Sequence, residues 1–250
     1  MKKRLTRILA LALVMLSILS LAACGGNGGG NAGNGGGAAS GSAGDSGSAA
    51  PAGYKDTLVW AQGADVTSLD PHQGKETPAV EVTCQIFDTL LVVDPETNEL
   101  VPQIAESWEQ TDELTYVFKI REGIKFHDGS DLTPADVKFS LERAINSAAV
   151  SYIVDFIDTI TDNGDGTVTI KTKNPYAPAL RNLAIPFAAI VPQAVVEADE
   201  EHFILNPVGS GPYKFVEWKQ GDHVTMEAFD GYYAGKAETQ NLIMRVIPET

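Results

Sequence analysis

The stretch YVFKIREGIKFHDG at Tyr116–Gly129 decides the fold of this chain, because it joins a strand pattern to a turn that leads into a helix. Its first residues alternate, with Tyr116, Phe118 and Ile120 on one face and polar or smaller side chains between them. Successive side chains of a strand point to opposite faces, so the pattern predicts a half-buried strand from Leu114 to Ile120. One face of that strand must cover a core.

A helix is predicted directly after this turn. Thr133 is a suitable N-cap, Pro134 fits the first helical position, and Asp136 places an acid at the third. Apolar side chains then recur at helical spacing and form a face to bury, namely Val137, Leu141, Ala144 and Ile145. The strand and the helix together predict a mixed fold.

The remaining sequence from Tyr54 onward continues this mixture. A further helix is expected from Thr77, its N-cap, through Leu91, with Pro78 at the first helical position. Cys84 falls on the apolar spacing of that helix and is expected to be a buried small hydrophobe. Other predicted elements are strands at Thr57–Ala61, Tyr213–Trp218, Val224–Phe229 and Leu242–Ile247, a hairpin at Phe156–Lys173 turning at Asn163–Gly166, and a short helix within Pro192–Glu201. The predicted fold class is α/β, or mixed α+β.

The first 23 residues have the pattern of a secretory signal peptide. A basic head is followed by the apolar run Ile8–Leu19, which is short for a membrane span, and then by small residues before Cys24. The small-small-Cys ending resembles the lipobox of bacterial lipoproteins, in which Cys24 is acylated and becomes the first mature residue. An ordinary signal peptide followed by an incidental cysteine is the alternative. Either way, the chain is expected to function outside the cytoplasm.

Residues 24–53 are predicted to be a flexible tether behind the lipidated cysteine. Gly25–Gly53 consists almost entirely of Gly, Ala, Ser and Asn, a composition that buries too little apolar surface to offset the entropy of ordering. About thirty such residues have an r.m.s. reach on the order of 30 Å. The folded part would stand clear of the lipid headgroups while staying on the membrane.

Charge and cysteine content exclude several classes. The formal net charge is −15, which disfavours nucleic-acid partners and anionic lipid surfaces, so membrane attachment is assigned to acyl chains. With Cys24 acylated, Cys84 has no partner for an intramolecular disulfide. The fold therefore depends on a packed core.

No catalytic or metal-binding signature is recognised. Gly209-Ser210-Gly211 lacks the spacing and the strand-to-helix context of a nucleophile elbow. The four histidines are scattered, no acidic turn has calcium-loop spacing, and the glycine-rich tract precedes any strand–helix unit. We therefore predict no enzyme activity, no cofactor and no metal site.

Several stretches resemble, in order, the extracytoplasmic solute-binding proteins of family 5, which serve peptide and nickel ABC importers. The resemblance covers the chain from about Tyr54 to Thr250. The matching stretches are SLDPH at Ser68–His72, FDTLL at Phe87–Leu91, PQIAESW at Pro102–Trp108, the opening stretch Tyr116–Gly129, ADVKFS at Ala135–Ser140, GSGPYKF at Gly209–Phe215, Tyr232-Tyr233 and VIP at Val246–Pro248. Two positions depart from the family pattern, with Ser210 in place of threonine and Tyr233 where tryptophan is common.

The resemblance implies one lobe of a periplasmic-binding-protein-like type II fold. Residues 54–91 and 175–250 would form domain I, which is incomplete, and residues 92–174 an inserted domain II. Family members are considerably longer, so the C-terminal lobe is expected to be absent and the chain to be a fragment. His127-Asp128-Gly129 is expected to be a structural turn.

The resemblance also implies what the chain does. A lipid-anchored binding component would close on a peptide or other small solute outside the cytoplasmic membrane and deliver it to ABC permease and ATPase subunits. Oligopeptides or dipeptides are the expected ligands. A nickel-chelate, heme or sugar binder, or a surface signalling or chaperone-like protein, is the alternative. By position, the resemblance places Glu76, Thr77 and Tyr152 near the ligand.

Overall fold

The computed structural model describes residues 56–248. The predicted signal peptide at 1–23, the predicted acylation site Cys24 and the predicted tether up to residue 53 lie outside the described residues. The elements, in chain order, are β1 Thr57–Gln62, α1 Thr77–Ile86, β2 Leu91–Val93, β3 Leu100–Pro102, β4 Ala105–Gln110, β5 Thr115–Ile120, α2 Pro134–Asn146, α3 Ser151–Val154, β6 Ile157–Asp162, β7 Thr167–Thr172, α4 Ala179–Asn182, a 3-10 turn Pro186–Ala188, α5 Gln193–Ala198, α6 Glu200–Leu205, β8 Tyr213–Lys219, β9 His223–Ala228 and β10 Asn241–Val246.

The first and last described strands lie side by side in one sheet. Its strand order is β1-β10-β9-β8, in which β1 and β10 run parallel and the other neighbours are antiparallel. Residues 57 to 62 of β1 pair in register with residues 241 to 246 of β10. The four predicted strands of this sheet are confirmed, but their order and direction follow only from tertiary pairing.

A second sheet contains the strand predicted from the opening stretch. Its order is β4-β5-β7-β6, all antiparallel, and Tyr116, Phe118 and Ile120 of β5 are buried as predicted. The predicted hairpin is β6–β7, and its turn contains Gly164 and Gly166 with φ of 75° and 85°. Glycine takes this left-handed backbone without the steric cost of a Cβ atom.

Helix α2 begins as the sequence predicts. Thr133 is the N-cap, its hydroxyl and backbone N–H both donate to the Asp136 carboxylate at 2.6 and 2.9 Å, and Pro134 occupies the first turn. The acid at the third helical position thereby accepts from the N-cap residue, as the acidic partner of a capping box does. The buried face of α2 packs onto the second sheet through Val137, Leu141 and Ala144.

The prediction for α1 is wrong at both ends. Glu76 is the N-cap, so Thr77 and Pro78 occupy the first two helical positions. The helix ends at Ile86 rather than at Leu91, because the backbone N–H of Gly211 donates to the Ile86 carbonyl at 2.8 Å and the chain then turns extended. A proline is tolerated at the second position because the first N–H groups of a helix have no intrahelical acceptor.

The prediction that Cys84 is buried is also wrong. The face that α1 presents to the core consists of Ala79, Val82, Thr83 and Ile86, whereas Cys84 is exposed. Cys84 follows Thr83 directly, and one residue corresponds to about 100° around a helix, which moves its thiol off the buried face.

Two apolar clusters form the core. The larger one surrounds the second sheet and α2, and the smaller one lies between the first sheet and α1. The larger cluster also includes Leu90 and Ala179, which the predicted domain boundaries assign to domain I. The division into residues 54–91 with 175–250 and residues 92–174 stays a prediction. Within residues 56–248, no helix has the length and apolar character to cross a membrane.

Candidate functional site

The carboxyl ends of β1 and β10 lie together, because the two strands are parallel neighbours. In open α/β sheets, ligands bind in the crevice outside the carboxyl ends of the strands. The loop that leaves β1 returns to the start of α1 at the same edge, where Gln62 Nε2 donates to the Pro78 carbonyl and to Glu81 Oε2, both at 3.0 Å. We call Gln62, Thr67, Glu76 and Thr77 at this edge the strand-end site.

Glu76 is held as a carboxylate at this site. Its side chain accepts hydrogen bonds from the Thr67 backbone N–H at 2.8 Å, from the Thr67 hydroxyl, and from the Lys75 N–H at 3.2 Å. Partial burial would raise the pKa of Glu76, but these donors outweigh it and place the pKa below its ordinary value. A fixed negative charge therefore lies beside the exposed Thr77.

Asp65 fastens the loop between Gln62 and Thr67 to the first sheet. Its carboxylate accepts from Trp218 Nε1 at 3.1 Å and from the Gly221 backbone N–H at 2.6 Å. Trp218 belongs to β8 and Gly221 to the turn after it, so Asp65 anchors the loop to this edge strand and its turn. The contacts restrict the loop and keep Thr67 next to Glu76.

A buried ion pair fixes the other end of this loop. Asp70 is fully buried, and its carboxylate accepts two hydrogen bonds from the Arg143 guanidinium of α2, at 2.9 and 2.5 Å. Arg143 also donates to Glu200 of α6 at 2.6 Å. A two-pronged pair of this kind fixes orientation as well as distance. The SLDPH stretch is thereby attached to α2 and α6.

His72 completes this cluster as a neutral side chain. Arg143 Nη1 lies 2.8 Å from His72 Nδ1, and His72 Nε2 lies 3.0 Å from the Ala189 carbonyl. Because the guanidinium can only donate, Nδ1 accepts and Nε2 carries the proton that Ala189 receives. Burial is the main cause that lowers the pKa of His72 to about 4, so the ring is uncharged at neutral pH.

Tyr152 lies on α3, with 60% of its surface exposed. Between α2 and α3, the Ser147 hydroxyl donates to the His72 carbonyl of the SLDPH stretch at 2.5 Å. Within the described residues no hydrogen bond joins Tyr152 to Glu76 or Thr77. The structure thus places Glu76 and Thr77 next to each other and leaves Tyr152 on a separate exposed segment.

The HDG turn contacts the GSGP loop directly. The His127 backbone N–H donates to the Gly209 carbonyl at 2.9 Å, and His127 Nε2 lies 2.9 Å from the Gly211 carbonyl. A Cβ atom on Gly209 would lie 2.0 Å from the Ile86 carbonyl oxygen, so only glycine fits against the end of α1. Burial is the main cause that lowers the pKa of His127 to about 4, and the side chain serves as a neutral structural link.

A buried carboxyl group lies just beyond the end of α1. Asp88 is 2% exposed, accepts from Gln103 Nε2 at 2.7 Å and from the Tyr233 hydroxyl at 2.9 Å, and its pKa is raised by burial to about 7. The Arg121 guanidinium lies 5.6 Å from the centre of the Tyr233 ring.

Sequence reasoning did not single out Asp88 or Arg143. A charged residue inside an apolar pattern was the only available signal for either.

Within residues 56–248, no group of three or more His, Cys, Asp and Glu side chains has a geometry that could hold a metal ion. The strand-end site offers a carboxylate, hydroxyls and backbone groups. Groups of these types can orient a polar or cationic ligand by hydrogen bonds and charge.

Proteins with solved structures share this fold. The structure of NikZ from Campylobacter jejuni, in complex with Ni(L-His), is 31% identical in sequence, with a TM-score of 0.70 over 78% of this chain and 40% of that one. The ABC transporter-associated periplasmic binding protein DppA of Helicobacter pylori, in complex with the peptide STSA, is 28% identical, with a TM-score of 0.71 over 77% of this chain and 43% of that one. The fold is that of part of a periplasmic binding protein.

Sequence comparison gives the family. The family model described as "Bacterial extracellular solute-binding proteins, family 5 Middle" matches residues 99–250. The glutathione-binding protein GsiB of Pectobacterium atrosepticum is 34% identical over 204 residues, which are 80% of this chain and 40% of that protein. The chain belongs to family 5 of the bacterial extracellular solute-binding proteins, and it spans about two fifths of the length of these relatives.

Proposed function

We propose that this chain is the N-terminal part of a substrate-binding component of an ABC importer, and that its ligands are oligopeptides or dipeptides. Family membership supports a binding role, and two of the relatives named above bind a peptide or glutathione, itself a tripeptide. The observation that carries the proposal is the strand-end site, where the fixed Glu76 carboxylate faces the edge at which α/β sheets bind ligands.

The proposed mechanism is capture without covalent chemistry. A second lobe would close over the strand-end site and enclose the ligand, and the permease would then recognise the closed form. Charged Glu76 would pair with a cationic group such as a peptide ammonium, and Thr77 and Tyr152 would also contact the ligand. The Arg143 cluster would keep the two proposed domains of this lobe in one arrangement during closure.

The proposed location is the outer face of the cytoplasmic membrane. Acylation of Cys24 would anchor the protein, and residues 24–53 would tether the binding lobe to the membrane, where it could reach the permease. Changing Cys24→Ser is expected to move the full-length protein from the membrane fraction to the soluble fraction after signal cleavage. A Cys24→Ser protein that is processed and still sediments with membranes would contradict the anchor.

The ligand class is tested on the full-length protein. Native mass spectrometry of the protein purified from its host is expected to show a bound peptide. Titration calorimetry then compares dipeptides, tripeptides, glutathione and a nickel–histidine chelate. A protein that retains only the metal chelate, or that hydrolyses the peptides, contradicts the proposal.

The role of Glu76 is tested by Glu76→Gln, which retains an acceptor for the Thr67 bonds and removes the charge. Loss of a charge-assisted hydrogen bond of about 1.5–3 kcal/mol corresponds to a roughly 10- to 150-fold weaker Kd for a peptide with a free amino terminus. Acetylation of that terminus should abolish the difference between the two proteins. The exposed Glu99→Gln is the matched control and should bind as the parent does.

A further inference from the structure

The turn between β8 and β9 lies at the same edge of the first sheet as the strand-end site. Strand β9 is antiparallel to both β8 and β10, and β10 is parallel to β1, so β1, β8 and β10 run in one direction. Their carboxyl ends therefore share an edge. Strand β8 ends at Lys219 and continues into the β8–β9 turn at residues 220–222, which thus borders the edge of the proposed ligand site.

Backbone hydrogen bonds hold the β8–β9 turn in place. The Asp222 N–H donates to the Lys219 carbonyl at 2.9 Å, and the Val246 N–H at the end of β10 donates to the Asp222 carbonyl at 2.8 Å. Gly221 has a φ of 75°, a left-handed backbone that glycine adopts without the steric cost of a Cβ atom. The turn is thereby tied to its own strand and to β10, so the Gly221 N–H is presented from a fixed position.

The loop that leaves β1 has little packing that could orient it. Gly63 and Ala64 are exposed, and a Cβ atom on Gly63 would meet nothing within 4 Å beyond its chain neighbours. Val66 is buried in the smaller core cluster, but apolar burial is non-directional and does not orient the residue that follows. Thr67, which presents its N–H and its hydroxyl to Glu76, is itself exposed. The direction of the loop at Thr67 therefore depends on hydrogen bonds.

Asp65 supplies such hydrogen bonds. Its Oδ1 accepts from Trp218 Nε1 at 3.1 Å and from the Val66 N–H at 2.9 Å, and its Oδ2 accepts from the Gly221 N–H at 2.6 Å. Hydrogen bonds to a charged acceptor are roughly twice as strong as those between neutral groups, and they are directional. Three donors on one carboxylate therefore fix the backbone just ahead of Thr67 against the β8–β9 turn.

We propose that Asp65 is a positioning residue for the ligand: from the β8–β9 turn it holds Thr67 against Glu76 and thereby sets the affinity for a cationic group. The inference rests on the proposed function, in which Glu76 pairs with such a group. A glutamate held by Thr67 has lost side-chain freedom before the ligand arrives, so binding has less entropy to overcome. A released Glu76 would lose this advantage, together with the Thr67 donors that lower its pKa.

The positioning is tested without a ligand, by carbon-13 NMR titration of the Glu76 carboxyl group in the full-length protein. Asp65→Ala is expected to raise the pKa of Glu76 toward its ordinary value of 4.5, because the Thr67 donors are no longer held against it. Asp230→Ala is the control and should leave that pKa unchanged, since Asp230 follows β9 at the opposite edge of the sheet and pairs with Lys236. An unchanged pKa of Glu76 in Asp65→Ala would overturn the inference.

The effect on ligand binding is tested by a double-mutant cycle, with Kd measured by calorimetry for a peptide with a free amino terminus. Asp65→Ala is expected to weaken binding roughly 2- to 12-fold in the parent and to have no effect in the Glu76→Gln protein. Equal weakening in both proteins, or a change below about twofold in the parent, would show that Asp65 does not act through Glu76. If Glu76→Gln alone binds as the parent does, the proposed function of Glu76 fails, and the titration decides whether Asp65 positions its carboxylate.

A milder variant covers the case in which Asp65→Ala does not fold. Trp218→Phe removes one donor to Asp65 and retains an aromatic ring, so the pKa of Glu76 and the Kd should change in the same directions but by less. Trp108→Phe on β4, in the second sheet, is the matched control and should match the parent in both measurements. Equal values for Trp218→Phe and Trp108→Phe would then overturn the inference.

Discussion

The buried carboxyl group of Asp88 makes the stability of this protein depend on pH in an unusual direction. Asp88 is 2% exposed, and neutral groups donate to its carboxylate, among them Gln103 Nε2 at 2.7 Å and the Tyr233 hydroxyl at 2.9 Å. The nearby cation, Arg121, lies over the Tyr233 ring rather than on the carboxylate. Replacing Asp88 by Asn keeps the shape and removes the ionisation.

The direction of this pH dependence follows from how strongly the folded and the unfolded protein bind a proton at Asp88. The pKa of Asp88 is about 7 in the folded protein against an ordinary value of 3.8. Below about pH 4, Asp88 is protonated in both the folded and the unfolded protein, and between about pH 4 and 7 it is protonated only in the folded protein. The free energy of unfolding therefore falls as the pH rises. Each pH unit between the two pKa values contributes about 1.4 kcal/mol, which gives a total effect of about 4 kcal/mol that is complete above pH 7.

The assay is urea unfolding of the full-length parent and Asp88→Asn proteins at pH values from 4 to 8, followed by tryptophan fluorescence. The difference in unfolding free energy between them should change by several kcal/mol in favour of the Asn variant as the pH rises. Asp158→Asn, at an exposed position of β6, is the control and should show a constant difference. A parent–Asn difference that is constant within about 1 kcal/mol, or that changes in the opposite direction, would refute the reasoning.

Three further substitutions test the packing and the loop supports, each by thermal or urea unfolding of the full-length protein. Gly209→Ala forces an overlap with backbone and is expected to cost more than about 3 kcal/mol or to prevent folding, whereas Gly63→Ala, with open space around it, should stay within about 1 kcal/mol of the parent. Arg143→Met leaves Asp70 buried without its cation and should cost about 3–5 kcal/mol; a loss under 1 kcal/mol would show that the pair is not needed. Thr133→Ala removes one side of the capping box and should cost about 1 kcal/mol, and an unchanged midpoint would contradict that role.

Local sequence signals predicted the elements whose ends are set by neighbouring residues. The Thr133–Asp136 capping box, the glycines of the β6–β7 turn and the alternation of β5 all act within a few residues, and the structure confirms each of them. The start of α1 was misplaced by one residue because proline fits either of the first two helical positions. Its end was misplaced because the stop comes from Gly211, more than a hundred residues away.

The strand-end site could be predicted only in part from the sequence. Family resemblance directed attention to Glu76 and Thr77, but no local rule states that Glu76 would bond to Thr67, nine residues earlier, and thereby retain its charge. Cys84 was predicted to be buried, but it is exposed. The apolar spacing of a helix does not reveal which side of the helix packs against the core.

The sequence by itself determined the class of fold, the positions of most helices and strands, and the family, because these depend on short-range periodicity and on motifs that keep their order along the chain. Only the tertiary structure decided that β1 lies beside β10, that Asp70 meets Arg143 across 73 positions, and that His127 meets Gly209 across 82. The physical reason is that a buried charge or a close backbone contact is stabilised by whichever partner the folded chain brings within about 3 Å, and sequence separation places no limit on that partner.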